Sequence, residues 1–367
     1  MTKLKVIISG GGTGGHLFPA LSIANEIKAR VPEVDILFVG ALGRMEMERV
    51  PIAGYPIYGL PVIGMPRKFS LKMFKFLWLL NKSMFEARKI VRNFKPDIAI
   101  GVGGYASGPL LKAANQKGIP TVIQEQNSYA GVTNKLLAKS ARKICVAYQG
   151  MEKYFPQDKL VVTGNPIRQN LLEKVDKKEA LKLLGLKGNM PVVLMLGGSL
   201  GAKTLNESIL DNMDFVDHSG VQVIWQSGKV YHNAILERLN GKLRENIQLH
   251  QFLAHMDKAF AVADLVISRA GAATISEICL LGKPSILVPS PNVAEDHQTK
   301  NAMALVDNNA AVMVKDSDAV KNLFPTAFEL IKDKEKLAEL SKNSKQMARP
   351  NATADIVNVI LNEVKDL

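Results

Sequence analysis

The sequence predicts an α/β protein built from two doubly wound domains. At 367 residues the chain is too long for one ordinary hydrophobic core. Short apolar runs alternate with helical patterns along its whole length, as parallel sheets covered by helices require. The two halves also repeat one arrangement, a strand that runs directly into a glycine loop. Together these observations predict two Rossmann-like domains facing a common cleft.

The predicted strands are short apolar runs without alternation, which indicates burial on both faces of a parallel sheet. In the first half they cover residues 6–8, 36–39, 98–100, 121–123 and 143–147. In the second half they cover residues 192–196, 221–225, 247–249, 265–267, 285–288 and 311–314.

The segment 160–168 carries turn residues between these two sets of strands and marks the predicted domain boundary. We therefore expect a first domain over 1–163 and a second over 164–351. Residues 352–367 are expected to form a terminal helix, for which packing back on the first domain is one option.

Each half contains two strand–glycine turns at corresponding places. The first pair is VIISGGGTGGH (6–16) and VVLMLGGSLGA (192–202), and the second lies at 98–109 and 265–277. Because parallel strands end at one edge of a sheet, all four loops are expected to border the cleft. A single loop of this kind is equally well a tight turn without a ligand, but four at matching positions favour ligand binding.

The first loop fits G-x-G-x-x-G through Gly10, Gly12 and Gly15, which suits the close approach of backbone N–H groups to a phosphate. A dinucleotide enzyme remains open on this motif alone. The second predicted strand ends at residues 38–41 without the acid that a nicotinamide cofactor requires, which disfavours hydride transfer. The chain also has no GxxxxGK[ST] motif, which disfavours nucleotide hydrolysis.

The turn 268–274 leads into a helix that carries Glu277. N–H groups at a helix start suit a diphosphate, and a carboxylate one turn later can accept both hydroxyls of a ribose. The alternative is that Glu277 is an ordinary acid near a helix N-terminus, stabilised by the helix dipole.

The net charge of +13 lies entirely in the first half. Residues 1–163 carry 23 basic and 10 acidic side chains, whereas residues 164–367 carry 24 of each. Within 67–95 there are nine basic residues and one acid. The predicted membrane patch there combines a lysine stripe with an apolar strip and consists of Lys68, Lys72, Lys75, Trp78, Lys82 and Phe85.

Cations beside an apolar aromatic strip are typical of a helix that lies on an anionic membrane surface. The alternative is that the strip packs against another element while the lysines are solvated. Nucleic-acid binding is disfavoured, since aromatic residues make up only 6% of the chain and no recognised motif occurs.

Cys145 and Cys279 form no disulfide framework and have no metal-ligand spacing, which is typical of a reducing cytoplasm. The N-terminus has the pattern of a first strand rather than of a signal peptide, and no apolar run is long enough for a membrane span. We therefore expect a soluble or peripheral protein.

Seven stretches, in order along the chain, carry a specific resemblance. They are GGGTGGHLFPAL (10–21), GVGGYASGP (101–109), EQNSYAGVTNK (125–135), TGNPIR (163–168), GGSLGA (197–202), SRAGAATISE (268–277) and EDHQTKNA (295–302). The chain thereby closely resembles the bacterial MurG enzymes, UDP-N-acetylglucosamine–N-acetylmuramyl-(pentapeptide) pyrophosphoryl-undecaprenol N-acetylglucosaminyltransferases. Two positions depart from that family's pattern: Gln124 stands where His is expected, and Leu200 where Gln or Arg is frequent.

The resemblance implies a GT-B glycosyltransferase architecture with UDP-N-acetylglucosamine held mainly by the second domain. The donor contacts carried over to this sequence are Thr13, Gly14, Gly15, Asn127, Arg168, Ser199, Leu253, Arg269, Ala272, Ala273, Thr274, Ile275, Ser276, Glu277 and Gln298. Among them, Arg168 and Ser199 would meet the diphosphate, Leu253 would lie by the uracil and Gln298 would contact the sugar. Gly103, Gly104 and Tyr105 would form the loop for the acceptor and its diphosphate.

The reaction implied by the resemblance is inverting transfer to the 4-hydroxyl of an undecaprenyl-pyrophosphoryl-N-acetylmuramyl-pentapeptide, the lipid I to lipid II step of peptidoglycan synthesis. Inversion in one displacement calls for a general base, for which His16 is the first candidate and Glu125 the second. The alternative for His16 is that it only holds the glycine loop. We expect no cofactor and no metal, since we find no DxD motif in a loop and no His/Asp cluster.

The expected location is the cytoplasmic face of the bacterial cell membrane, as a peripheral protein. Two alternatives stay open. One is a GT-B transferase with a different sugar nucleotide or lipid acceptor, and the other is a protein that binds sugar nucleotides without catalysis.

Overall fold

A computed structural model describes residues 3–64, 71–167, 171, 173–293 and 296–365 of the chain. The chain divides into two compact units. The first comprises Met1–Arg168 and Asn351–Leu367, and the second Gln169–Pro350. The division thus falls after Arg168, a few residues beyond the expected position after residue 163, and the last residues belong to the first unit.

The first unit is a parallel sheet with helices on both faces. Its strands are β1 (Lys5–Gly10), β2 (Asp35–Ala41), β3 (Ile57–Leu60), β4 (Ile98–Gly103), β5 (Thr121–Glu125), β6 (Lys143–Val146) and β7 (Leu160–Val162), and its helices are α1 (Gly14–Arg30), α2 (Glu46–Ile52), α3 (Leu71–Phe94), α4 (Ser107–Gln116), α5 (Val132–Ala138) and α15 (Ala352–Lys365). Short 3₁₀ turns lie at Met151–Lys153 and Gln157–Lys159.

The strand order is β3-β2-β1-β4-β5-β6-β7, so the chain reverses direction across the sheet between β1 and β4. Ile7 pairs with both Leu37 and Ala99. The register between β1 and β4 shifts between Ser9 and Gly10, at the point where β1 runs into its glycine loop. This reversal places the loops after β1 and β4 side by side.

Alternate residues of β1 enter two separate cores. Val6 and Ile8 pack with α1 and α15, whereas Ile7 packs on the other face with residues of α3, α4 and α5. The terminal helix α15 contributes Ile356, Val357 and Ile360, all fully buried. It is therefore part of the core of the first unit.

The second unit is a six-stranded parallel sheet in the order β10-β9-β8-β11-β12-β13. Its strands are β8 (Val192–Leu196), β9 (Gln222–Gln226), β10 (Ile247–His250), β11 (Leu265–Ser268), β12 (Ser285–Leu287) and β13 (Val312–Met313). Its helices are α6 (Lys177–Leu183), α7 (Lys203–Asp211), α8 (Met213–Asp217), α9 (His232–Leu239), α10 (Met256–Val262), α11 (Ala272–Leu281), α12 (His297–Val306), α13 (Asp316–Lys332) and α14 (Lys334–Gln346).

Met195 and Trp225 anchor one face of this sheet, and Leu205 of α7 and Phe324 of α13 cover them. The two sheets share the same strand order around their reversal point. The prediction of two doubly wound α/β domains is therefore confirmed, while the cleft between them stays a prediction.

The strand prediction missed β3 and β7, the two edge strands of the first sheet. β7 lies within the segment that we expected to be a turn at the domain boundary. Cys145 and Cys279 are both buried. Burial raises the pKa of the Cys145 thiol to about 12 and that of Cys279 to about 11, so both remain neutral thiols within the core.

Candidate active site

The glycine loops after β1 and β4 touch backbone to backbone in the first unit. A methyl group placed on Gly104 would lie 2.5 Å from the carbonyl oxygen of Gly11, and Gly104 has a φ of +90°. No residue with a side chain fits there without moving the first glycine loop. Tyr105, next in the chain, is about half exposed, and its hydroxyl oxygen would lie 2.6 Å from a methyl group on Gly64.

His16 lies in the first turn of α1, over the β4–α4 loop. Thr13, in extended conformation, is the N-cap of the helix, and Gly14 and Gly15 are its first two residues. The imidazole Nδ1 of His16 lies 3.2 Å from the Thr13 hydroxyl, and Nε2 would lie 2.7 Å from a methyl group on Gly103. Within the first unit, the structure thus brings His16 together with Thr13, Gly14 and Gly15 and with the predicted acceptor loop at Gly103.

Glu46 fixes the first glycine loop, and sequence reasoning missed it. This fully buried carboxylate accepts the N–H of Gly12 at 2.8 Å and the N–H of Ala41 at 2.9 Å. β2 itself ends without an acidic residue. The carboxylate of Glu46, the first residue of α2, instead lies at the end of β2, where it bonds the N–H of Ala41. The signal was an acid at the start of the next helix, five residues after Ala41.

Glu125 ends β5 and is held by four donors. Its Oε1 accepts from the N–H and side-chain amide of Asn127, at 3.1 and 3.2 Å. Its Oε2 accepts from the Gly131 N–H at 3.0 Å and the Asn134 amide at 2.9 Å. Since a carboxylate has about four acceptor positions, the Glu125 side chain is fully used in ordering this loop and in orienting Asn127.

A buried amide network attaches the segment before Arg168 to β5. Gln124 donates to the Asn165 side-chain oxygen at 3.0 Å, and the Asn165 amide donates to the carbonyl oxygen of Gln126 at 3.0 Å. All three side chains are nearly inaccessible. Gln124, which stands where the MurG pattern has His, is therefore part of this buried hydrogen-bond network. Arg168 itself lies outside the described residues.

The loop after β8 in the second unit rests on the turn after β9. Gly198 and Gly201 adopt φ values of +81° and +96°, and a methyl group on Gly228 would overlap the backbone of Gly201. The carbonyl oxygen of Ser199 accepts the N–H of Lys229 at 3.0 Å. Ser199, the residue predicted to meet the diphosphate, is exposed at the tip of this loop.

The turn after β11 presents a helix N-terminus beside a buried carboxylate. α11 begins at Ala272 after Gly271, whose carbonyl oxygen accepts the Ile275 N–H at 2.9 Å. The N–H groups of the first three helical residues have no partner within the helix. Glu277 follows one turn later and is 4% exposed, whereas the Ser276 hydroxyl donates to Ala272 within the helix at 2.9 Å. The other two predicted positions, Ala273 and Thr274, are half-buried.

Arg269, predicted to bind substrate, is engaged in holding loops together. Its Nη1 donates to the carbonyl oxygens of Val288 at 3.0 Å and Pro289 at 3.3 Å and pairs with Asp316. Asp316 also accepts from the Thr204 hydroxyl at 3.0 Å. This nitrogen of Arg269 therefore connects the ends of two strands to the starts of α7 and α13.

Gln298 and Leu253 are placed by contacts with neighbouring loops. The side-chain oxygen of Gln298 accepts the Ser290 N–H at 2.8 Å, which leaves its NH₂ group to donate to a ligand. Leu253 is 5% exposed, and its N–H donates to the Gln226 side-chain oxygen at 3.2 Å.

Two absences hold for the described part of the chain. It contains no group of three or more His, Cys, Asp and Glu side chains arranged to hold a metal ion. Among the same residues, no helix combines the length and apolar character that crossing a bilayer demands.

Comparison with known proteins identifies the family. The glycosyltransferase family 28 N-terminal domain matches residues 6–146, and the family 28 C-terminal domain matches residues 192–356. The chain belongs to glycosyltransferase family 28. The first match covers β1 to β6 of the first sheet, and the second covers all six strands of the second sheet.

Similar proteins match this chain over nearly its whole length. A "UDP-N-acetylglucosamine--N-acetylmuramyl-(pentapeptide) pyrophosphoryl-undecaprenol N-acetylglucosamine transferase" of Parabacteroides distasonis is 57% identical, covering 98% of both chains. A protein of the same name from Bacteroides fragilis is 56% identical over 98% of this chain and 95% of its own length. The crystal structure of Acinetobacter baumannii MurG has a TM-score of 0.74 at 29% identity, covering 98% of this chain and 99% of that one.

Replacing Gly104 with Ala is expected to destabilise the first unit and to displace the first glycine loop. The positive φ costs about 1–2 kcal/mol for any L-residue, and overlap with Gly11 adds to that cost. Gly118→Ala is a matched control, since Gly118 has a φ of +73° and open space around it. Thermal unfolding should show a larger loss of Tm for Gly104→Ala. Equal losses would contradict the backbone contact.

Proposed function

We propose that this protein transfers N-acetylglucosamine from UDP-N-acetylglucosamine to the 4-hydroxyl of lipid-linked N-acetylmuramyl-pentapeptide, with inversion at the transferred carbon. The observation that carries this proposal is the end-to-end match, at 57% identity, to a protein named for that transfer. The ordered loops after β1, β4, β8 and β11 support it, since they put the predicted residues at the carboxyl edges of the two sheets.

The second unit holds the donor nucleotide. The N-terminus of α11 and the tip of the Ser199 loop bind the diphosphate, to which Arg168 adds positive charge. Glu277 accepts the ribose hydroxyls, and the segment at Leu253 lies against the uracil. The NH₂ group of Gln298 donates to the sugar. Charge that develops on the departing UDP is stabilised by these N–H groups and by the guanidinium.

The first unit supplies the base. The acceptor hydroxyl attacks the anomeric carbon as the bond to UDP breaks, and UDP leaves with the bonding electrons. His16 takes the hydroxyl proton on its imidazole. This assignment is favoured over Glu125 because four donors already occupy that carboxylate, whereas His16 lies against the loop at Gly103 and Gly104 where the acceptor diphosphate binds.

Helix α3 docks the protein on the cytoplasmic face of an anionic membrane. Phe74, Trp78 and Phe85 are 65%, 63% and 66% exposed. They occur at spacings of one and two helical turns and so share one side of the helix. The ammonium of Lys82 lies 5.6 Å from the centre of the Trp78 ring. The exposed cations beside the strip include Lys72, Lys75 and Lys82, while Lys68 lies outside the described residues.

The buried face of α3 is formed instead by Ser83, Ala87 and Val91. The exposed apolar strip is therefore not needed for packing within the first unit. A lipid-linked acceptor stays at the bilayer surface, so an enzyme that lies on that surface reaches it directly.

The overall function is tested by supplying UDP-N-acetylglucosamine and a lipid-linked N-acetylmuramyl-pentapeptide in vesicles. We expect release of UDP, with the same rate in excess EDTA because Arg168 and the helix N–H groups neutralise the leaving group. Binding of UDP-N-acetylglucosamine without turnover would indicate a sugar-nucleotide-binding protein. Absence of any binding, or loss of activity in EDTA, would contradict the donor site as proposed.

Changing His16 to Ala is expected to lower kcat by about 10²–10⁴-fold, the usual effect of losing a general base. The KM for UDP-N-acetylglucosamine should change little, and the limb of the pH–rate profile that reports the base should disappear. His218→Ala, at an exposed histidine of the second unit, is the control. Near-normal turnover of a folded His16→Ala enzyme would remove His16 from the proton transfer.

Changing Lys72 and Lys75 together to Gln is expected to weaken binding to phosphatidylglycerol vesicles about thirtyfold, at about 1 kcal/mol per basic residue near the surface. Trp78→Ser with Phe85→Ser should weaken it further, and added salt should reduce the lysine effect. Leu183→Ser with Leu236→Ser removes comparably exposed apolar side chains from the second unit as a control. Unchanged sedimentation of the α3 variants with vesicles would exclude this docking face.

A further inference from the structure

The turn between β9 and α9 lies between two loops that we assign to opposite ends of the nucleotide. β9 is hydrogen-bonded to β8 on one side and to β10 on the other. The loop after β8 carries Ser199 for the diphosphate, and the loop after β10 carries Leu253 for the base. The residue that ends β9 is Gln226, which none of the motifs above includes.

Gln226 contacts both loops at once. Its backbone carbonyl oxygen accepts the N–H of Gly197, the first residue of the β8–α7 loop, at 3.1 Å. Its side-chain oxygen accepts the N–H of Leu253 at 3.2 Å. The side chain is only 3% exposed. One buried residue thus bonds the first residue of the loop after β8 and the third residue of the loop after β10.

The turn that follows strengthens this connection. The N–H of Ser227 donates to the carbonyl oxygen of His250 at 2.9 Å, toward the base loop. The N–H of Lys229 donates to the carbonyl oxygen of Ser199 at 3.0 Å, toward the diphosphate loop. The loop after β8, which carries Ser199, is held by backbone hydrogen bonds that Gly197 donates and that Ser199 accepts from Lys229. In the loop after β10, which we call the base loop, Leu253 is held by the side chain of Gln226.

We propose that Gln226 is a positioning residue that makes the donor site selective for a uridine diphosphate. By holding the Leu253 N–H, its side-chain oxygen fixes the base loop at one distance from the diphosphate loop. A pyrimidine nucleoside diphosphate fits that distance, and a purine is rejected because the loop cannot retreat. This inference rests on the proposed donor site and adds the residue that sets its base selectivity.

The test compares UDP and ADP binding to the full chain by calorimetry. In Gln226→Leu we expect UDP affinity to fall about three- to tenfold, the effect of losing one neutral hydrogen bond. ADP affinity should fall less or rise, so the ratio of the two affinities decreases. In the transferase assay the KM for UDP-N-acetylglucosamine should rise in step while kcat stays within about twofold, since Gln226 does not touch the reacting atoms.

Two further variants separate positioning from a general structural role. Gln226→Glu keeps an acceptor oxygen for the Leu253 N–H and should retain most of the selectivity. Gln222→Leu is the matched control, because Gln222 lies at the other end of β9, is equally buried and bonds Lys187 through its side chain. It should lose thermal stability and keep the UDP preference. Gln226→Met also removes the acceptor and replaces the Leu variant if that protein does not fold.

The outcomes are distinct. If the unaltered protein binds no UDP, the donor site itself is wrong. If it binds UDP and Gln226→Leu retains the same preference over ADP, or if Gln226→Glu loses that preference as completely as Gln226→Leu, the positioning role is overturned. If Gln226→Leu only lowers thermal stability, as Gln222→Leu does, and leaves the UDP preference unchanged, Gln226 has a structural role only.

Discussion

Both units depend on loops whose backbones touch with no side chain between them. In the first unit Gly104 meets Gly11, and in the second Gly228 meets Gly201. Each contact joins loops from adjacent strands, so the groups at the carboxyl edge of the sheet have fixed relative positions. Neighbouring side chains then complete the arrangement, as Glu46 does by accepting the N–H groups of Gly12 and Ala41. The binding groups are ordered by the protein before a ligand arrives, which reduces the entropy that a ligand must lose.

The central strands were predictable because a strand that is buried on both faces has a continuous run of apolar residues in its sequence, as in β1, β4 and β8. The edge strands lack that signal. In β3 the side chain of Tyr58 is exposed, and β7 is only three residues long and partly exposed. Such segments are strands because a neighbouring strand pairs with them, and that neighbour is not visible in the local sequence.

The residues of the candidate site also fall into two groups, those that the sequence marks and those that it does not. Glycine loops at the ends of strands are local patterns, so the loops that carry His16 and the start of α11 could be located from sequence, whereas Thr13 and Ser199 were named through the family resemblance. The buried residues that hold those loops are different in kind. Glu46 bonds the N–H of Gly12 and Gln226 bonds the N–H of Leu253, groups 34 and 27 positions away along the chain that only the folded sheet brings near. Their own sequence surroundings resemble those of ordinary polar residues at an element boundary, and no motif marked them.

The packing of α15 has a consequence for how the protein is made. The core of the first unit includes Ile356, Val357 and Ile360, which are synthesised after the whole of the second unit. While the ribosome is still producing residues 169–350, the surface that these three side chains cover remains apolar and uncovered. The nascent first unit therefore reaches its final core only after synthesis is nearly finished, and during that interval it offers a binding surface to chaperones.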